Sequence, residues 1–243
     1  MYRILTTVLC VTLANIVIHA QERCTSHTLT QRWLQEQGRP TDIQQAIRST
    51  AKGERKGGGT PTVAVAVHVV WNNAAENVSD ALIQDMLTTL NEDYQAQNSD
   101  YDQVRATFLN DRGNPDIQFC LAQVDPNGGP TTGITRTQTT QTWFDPDAET
   151  NDMKSAPDGI APWNTEEYLN IWICDISSGA TGGFVTAGYA YLPVGGMVGS
   201  DIDGLVLDYD YGIGGGSRTA THEIGHYFGL DHPWADGGCA SDD

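Results

Sequence analysis

The chain has 243 residues, enough for one large domain or two small ones, with a formal net charge of -18 and 39% hydrophobic residues. The charge is uneven: residues 21–56 carry seven Lys/Arg against four acids, a net +3, whereas residues 57–243 carry five against twenty-seven, a net -22. So acidic a body excludes nucleic acid as a natural partner, because phosphate contacts need Lys and Arg, and suggests that a basic front segment is held partly by long-range attraction that salt would weaken.

Residues 1–20 read as a secretory signal: Arg3, an apolar run over Ile4–Ile18, and Ala20 as a cleavage residue. No other run is long and apolar enough to span a bilayer. The chain is therefore expected outside the cell, where disulfides are permitted. Removing the signal takes Cys10 with it and leaves Cys24, Cys120, Cys174 and Cys239.

Residues 21–56 predict a helix over Thr28–Gln37 and a second over Asp42–Lys52. Their end, Arg55-Lys56-Gly57-Gly58-Gly59, places basic residues beside flexible glycines, a pattern suited to proteolytic nicking. The segment is read as a removable prosegment ahead of a domain spanning 57–243. Thr62–Trp71, apolar and β-branched, predicts a strand buried on both faces, with His68 a hydrogen-bonded core residue rather than a ligand. Asn77 heads a glycosylation sequon. Ser79 is placed to cap a helix over Asp80–Gln97, whose core stripe is Leu82, Met86, Leu87, Leu90 and Tyr94.

Strands follow at Asp116–Gln123 and Leu169–Ile173, with a loop-rich stretch over 125–165 between them. Cys120 and Cys174 lie at or near the ends of these strands, and a bridge between them is one of the three pairings that four cysteines allow. Ala187–Tyr191 and Gly204–Asp208 are short strand candidates. Gly212–Gly216 then leads into a last helix capped by Ser217 or Thr219, with Tyr227, Phe228 and Leu230 as its core anchors.

That helix carries the chemistry. In Thr221-His222-Glu223-Ile224-Gly225-His226-Tyr227-Phe228-Gly229-Leu230-Asp231-His232, two histidines four apart share a helix face and can reach one ion, with Glu223 between them. Gly229 can take positive φ and turn the chain back, so that His232 becomes a third ligand. Three neutral imidazoles suit zinc and leave a fourth position open to water, the arrangement of a catalytic site, with Glu223 as general base. The competing reading is a non-catalytic exported module that keeps a zinc site as scaffold; the intact glutamate argues against it. A zinc peptidase with two histidines and a glutamate as ligands is disfavoured by Gly229 and His232.

This His-Glu-x-x-His-x-x-Gly-x-x-His pattern resembles the metzincin clan of zinc endopeptidases. The pappalysin family within it, which includes ulilysin-like and mirolysin-like enzymes, is resembled at Val67–Val70, Ile117–Ala122, Gly133–Thr137, Tyr168–Cys174, Arg218–Thr221 and Gly237–Cys239. The resemblance implies a mixed α/β catalytic domain with a twisted sheet, a backing helix and the zinc helix beneath a cleft. It implies that an edge strand, here Gly188, Tyr189, Ala190 and Tyr191, pairs with an extended protein or peptide substrate. It further implies a prosegment acting as inhibitor, whose cysteine, here Cys24, fills the open zinc position; Thr25 stands where that motif usually has glycine. A disulfide from Cys24 to Cys239 is the alternative. Finally, it implies structural calcium and a methionine-containing turn after the third histidine. The last methionine here is Met197, so the sequence is expected to be a partial one whose C-terminal subdomain is incomplete.

Overall fold

The computed structural model describes residues 21–50, 59–179 and 184–232. The expected signal at 1–20, the basic stretch at 51–56 and Cys239 lie outside them. In chain order the elements are β1 (Gln21–Cys24), α1 (Ser26–Glu36), α2 (Ile43–Thr50), β2 (Thr62–Trp71), α3 (Asp80–Tyr94), β3 (Gln118–Leu121), β4 (Ile134–Gln138), β5 (Leu169–Cys174), β6 (Phe184–Ala190), β7 (Leu205–Asp208) and α4 (Thr219–Tyr227). Among the described residues no helix is long and apolar enough to cross a membrane.

Among the described residues seven strands form one mixed sheet in the order β1-β6-β7-β5-β2-β3, with β4 also on β2. All pairings are parallel except β6 with β7. The central strand β2 is apolar at nearly every position because both its faces are covered. Val65, Val67 and Val69 face α3 and α4, packing with Ile83, Met86, Leu87, Leu90, Ala220 and Ile224. Val70, with Trp172, Tyr189, Tyr191 and Val206, belongs to a second core beneath Phe144, Met153 and Leu29. Each such buried aliphatic side chain contributes about 1.5–3 kcal/mol. His68 is fully buried in contact with the Trp163 and Trp172 rings, as expected of a core histidine.

Ser79 caps α3 as expected, its hydroxyl accepting from the Leu82 amide. The buried stripe of α3 includes Ile83, while Leu82 and Tyr94 are only partly buried. The far end of α3 grips the start of α4. Tyr94 donates its hydroxyl proton to the Thr221 carbonyl, Thr221 donates to Asp93, and Arg218 forms two 2.6 Å hydrogen bonds to Asp100. The N-cap position is Arg218, which makes no side-chain cap, rather than the expected Ser217 or Thr219; the Ser217 hydroxyl accepts from the Thr219 amide at 3.3 Å. The core anchors of α4 are Ala220, Ile224 and Tyr227, spaced as one helical stripe. Phe228 and Leu230 are 42% and 66% exposed, off that stripe.

The expected Cys120–Cys174 bridge does not form: both cysteines are free. β2 lies between their strands, with Cys120 opposite Ala64 and Ile173 opposite Val69. That offset alone is about 20 Å along the strands, whereas a disulfide requires Cα atoms within about 7 Å.

Candidate metal centre and cleft

The helix that carries the candidate ligands ends where its sequence says it should. Gly229 adopts φ +92, its amide donates to the His226 carbonyl, and the Leu230 amide donates to the Gly225 carbonyl. This left-handed turn swings His232 back beneath α4. The three Nε2 atoms of His222, His226 and His232 then lie 3.0–3.2 Å apart. Ligands at zinc–nitrogen distances of about 2.0–2.1 Å in a tetrahedron would be separated by about 3.3 Å, so the donor set fits that ion. The fourth corner is taken by Cys24, whose Sγ is 3.3 Å from His226 Nε2; all four ligand atoms fall within 4.8 Å of one another.

The electrostatics agree with ligation. Burial lowers the His226 pKa to about 4 and also lowers that of His222, with the neighbouring rings adding to the effect, so both of these imidazoles stay neutral at pH 7. Burial and the Glu223 carboxylate push the Cys24 thiol up to about 12. A divalent cation among these atoms reverses that balance, because a coordinating thiol is deprotonated outright.

Glu223 is buried beside the cluster. Burial raises its pKa to about 7, opposed by hydrogen bonds from Ser26, Cys24 and the Ala190 backbone. A cleft of about 700 Å³ opens next to it, lined by Cys24, Gly188, Tyr211, Gly215, His222 and Glu223 among others. Gly188 has no room for a side chain: a Cβ there would meet Thr219 Cγ2 at 2.8 Å, so glycine lets β6 lie directly against α4.

The strand expected to receive substrate is already paired. β1 runs parallel to β6, with Cys24 opposite Gly188. Beyond β1, the hydroxyls of Ser26 and Thr30, one turn apart on α1, accept from the Ala190 and Leu192 amides. Tyr189 and Tyr191 turn away from this edge into the core, where the Tyr189 hydroxyl donates to the Thr150 carbonyl and Asn151 donates to the Tyr191 hydroxyl. Tyr191 itself lies just past the end of β6.

Three contacts escaped the sequence. Ser26 donates to Glu223 Oε2 at 2.8 Å, and Asp231 is held by His27 Nδ1 at 3.2 Å and Gln44 Nε2 at 2.8 Å. A serine at the start of a predicted helix reads as a cap, and nothing local points it at a residue 197 positions away. Leu29, Leu34 and Ile43 are each no more than 2% exposed and pack into the body, Leu34 and Ile43 against Leu192 and Val194.

Residues 156–243 match the peptidase M43 family model described as pregnancy-associated plasma protein-A. No curated protein sequence matches significantly. Solved structures do. Mature mirolysin of Tannerella forsythia in complex with a cleaved peptide is 39% identical, covers 77% of this chain and 70% of its own, and has a TM-score of 0.67. A promirolysin mutant of the same organism is 34% identical, covers 87% and 70%, and has a TM-score of 0.71. Mirolysin in complex with a compound is 39% identical, with 74% and 67% covered and a TM-score of 0.64. With this likeness over most of its length and the histidine cluster at its centre, the chain belongs to the pappalysin family of metzincin metalloendopeptidases.

Proposed function

We propose that the chain is the latent precursor of an exported zinc endopeptidase. Residues 1–20 serve as its signal, 21–56 as its inhibitory prosegment and 57–243 as its catalytic domain. The observation that carries this reading is the convergence of three imidazoles and the Cys24 thiol on one point beside a buried glutamate. Promirolysin also covers more of this chain than mature mirolysin, 87% against 77%.

His222, His226 and His232 would hold zinc, and bound zinc would supply a Lewis acid that polarises the scissile carbonyl and acidifies water. The chain's own groups do the rest. The Leu230 carbonyl, 2.7 Å from His226 Nδ1, keeps the proton on that nitrogen and leaves Nε2 free to ligate. Glu223, buried beside the histidine cluster, is placed to take a proton from the attacking water and return it to the leaving amine. Once residues 21–30 leave, the amides of Ala190 and Leu192 become donors for the main chain of an extended protein or peptide substrate. While they stay, Cys24 fills the fourth ligand position. Calcium rests on the family resemblance alone: among the described residues, one group of three or more ligating side chains is found, and it is this one.

The test compares intact precursor with protein cleaved after Lys56. Both should bind one zinc, the precursor should be silent, the cleaved form should hydrolyse peptides, and the exported precursor should begin at Gln21. In the cleaved form Glu223→Gln should retain zinc and lose about 10²–10⁴-fold in turnover. Equal rates for precursor and cleaved protein would overturn the latency, and undiminished turnover by Glu223→Gln would overturn the base.

A further inference from the structure

Accepting that residues 21–56 are a prosegment, we infer that Ser26 is a second latch, which silences the general base and the substrate edge while Cys24 occupies the metal position. Ser26 is completely buried. Its Oγ donates to Glu223 Oε2 at 2.8 Å and accepts from the Ala190 amide at 3.0 Å. One oxygen thus imitates two partners of the working enzyme: its O–H stands in for the water whose proton Glu223 would take, and its lone pair for a substrate carbonyl on the strand edge. Cys24 Sγ lies 3.3 Å from the same oxygen, so the two latches touch but act on different groups.

The position of Ser26 is fixed independently of any metal. It opens α1, and one turn later Thr30 donates to the Ser26 carbonyl while accepting from the Leu192 amide, which pins the helix start to the strand edge. Leu29 and Leu34 bury the next part of the helix in the body. Removing the thiol therefore leaves the serine in place, and a carboxylate so engaged is unavailable to water. A hydrogen bond to a charged group contributes about 1.5–3 kcal/mol, which corresponds to roughly ten- to hundred-fold in the open population.

The experiment measures initial rates on a small peptide, before the precursor band shortens on a gel, for four intact zinc-loaded precursors. These are wild type, Cys24→Ala, Cys24→Ala/Ser26→Ala and Cys24→Ala/Ser26→Thr. The alanine double variant should exceed Cys24→Ala by about tenfold or more. The threonine double variant, which keeps a hydroxyl, should return to the Cys24→Ala rate. Equal rates for Cys24→Ala and the alanine double variant, or a threonine variant as fast as the alanine one, would overturn the latch. A second measurement needs no change at Ser26: amide exchange at Ala190 should stay protected in the Cys24→Ala precursor, and exchange at the rate of the cleaved enzyme overturns the proposal. Failure of the prosegment reading looks different, because wild-type precursor would then be as active as cleaved protein.

Discussion

His226 Nδ1 lies 2.7 Å from the main-chain oxygen of Leu230, so the residue that follows the Gly229 turn orients a candidate metal ligand one helical turn before it. Turn and site are one unit. At φ +92 Gly229 occupies backbone space that side-chain-bearing residues rarely adopt, and a Cβ there would also touch Pro193 Cγ at 3.4 Å. Gly229→Val should cost about 1–3 kcal/mol of stability through backbone strain. The variant should also lose roughly 10–100-fold in zinc affinity, because His226 loses its partner and His232 its placement. Competition with a chromogenic chelator measures the affinity; an unchanged value would mean that the turn does not set the ligand geometry.

The sequence disclosed the elements whose information is local. β2 spans Thr62–Trp71 as the apolar run indicates, and α4 presents its histidines as the spacing requires. Other elements exist because of partners far away. β4, Ile-Thr-Arg-Thr-Gln, has one apolar residue and is a strand because it pairs with β2 and gives Thr135 to His68. β1, Gln-Glu-Arg-Cys, has no strand-forming pattern and is a strand because β6 offers it an edge. The role of Ser26 was hidden for the same reason: its two partners come from β6 and α4, which only the folded sheet brings to the front of the chain.

Leu29, Leu34 and Ile43 bury apolar surface against the body, which separates two ways of loosening residues 21–50. Leu34, 1% exposed against Leu192 and Val194, should cost about 2–5 kcal/mol of docking when cut to alanine. Raising salt to about 1 M shortens the screening length to about 3 Å and removes long-range attraction while leaving apolar burial intact. Amide exchange of the Leu192 region in the intact precursor should therefore accelerate in Leu34→Ala and change little with salt. The opposite ranking would make the +3/-22 charge division the main hold.

Cys120 is exposed and Cys174 fully buried, and both are free. Burial raises the Cys174 thiol well above its ordinary pKa, with Asp208 and Asp175 adding to it, so it is poor in reactive thiolate as well as inaccessible. A brief pulse of a thiol reagent on native protein should label Cys120 and spare Cys174, and both should react after unfolding. Peptide mapping distinguishes them. A Cys120–Cys174 cross-linked peptide from the non-reduced protein would contradict the strand order.

His68 gives the fold a pH dependence that does not depend on the ligand cluster. Asn170 Oδ1 accepts from the Trp163 amide and lies 2.9 Å from His68 Nε2, which assigns the imidazole proton to Nε2. Nδ1, 2.7 Å from Thr135 Oγ1, then accepts from that hydroxyl. The ring is neutral and buried, and burial lowers its pKa from 6.5 to about 4. Between these values the unfolded chain binds the proton and the folded chain does not. The contribution is therefore complete above about pH 6.5 and is lost progressively as pH falls toward 4, on the order of 3 kcal/mol in all. Other titratable groups also respond to acidification, but they do so in any background. The informative quantity is thus the change in unfolding free energy between about pH 7 and pH 4.5, compared in wild type and His68→Gln by urea titration. His68→Gln should be less stable at neutral pH and should lose less on acidification by about 2–3 kcal/mol. Parallel pH profiles for the two proteins would show that His68 is protonated within the fold or exchanges its partners without cost.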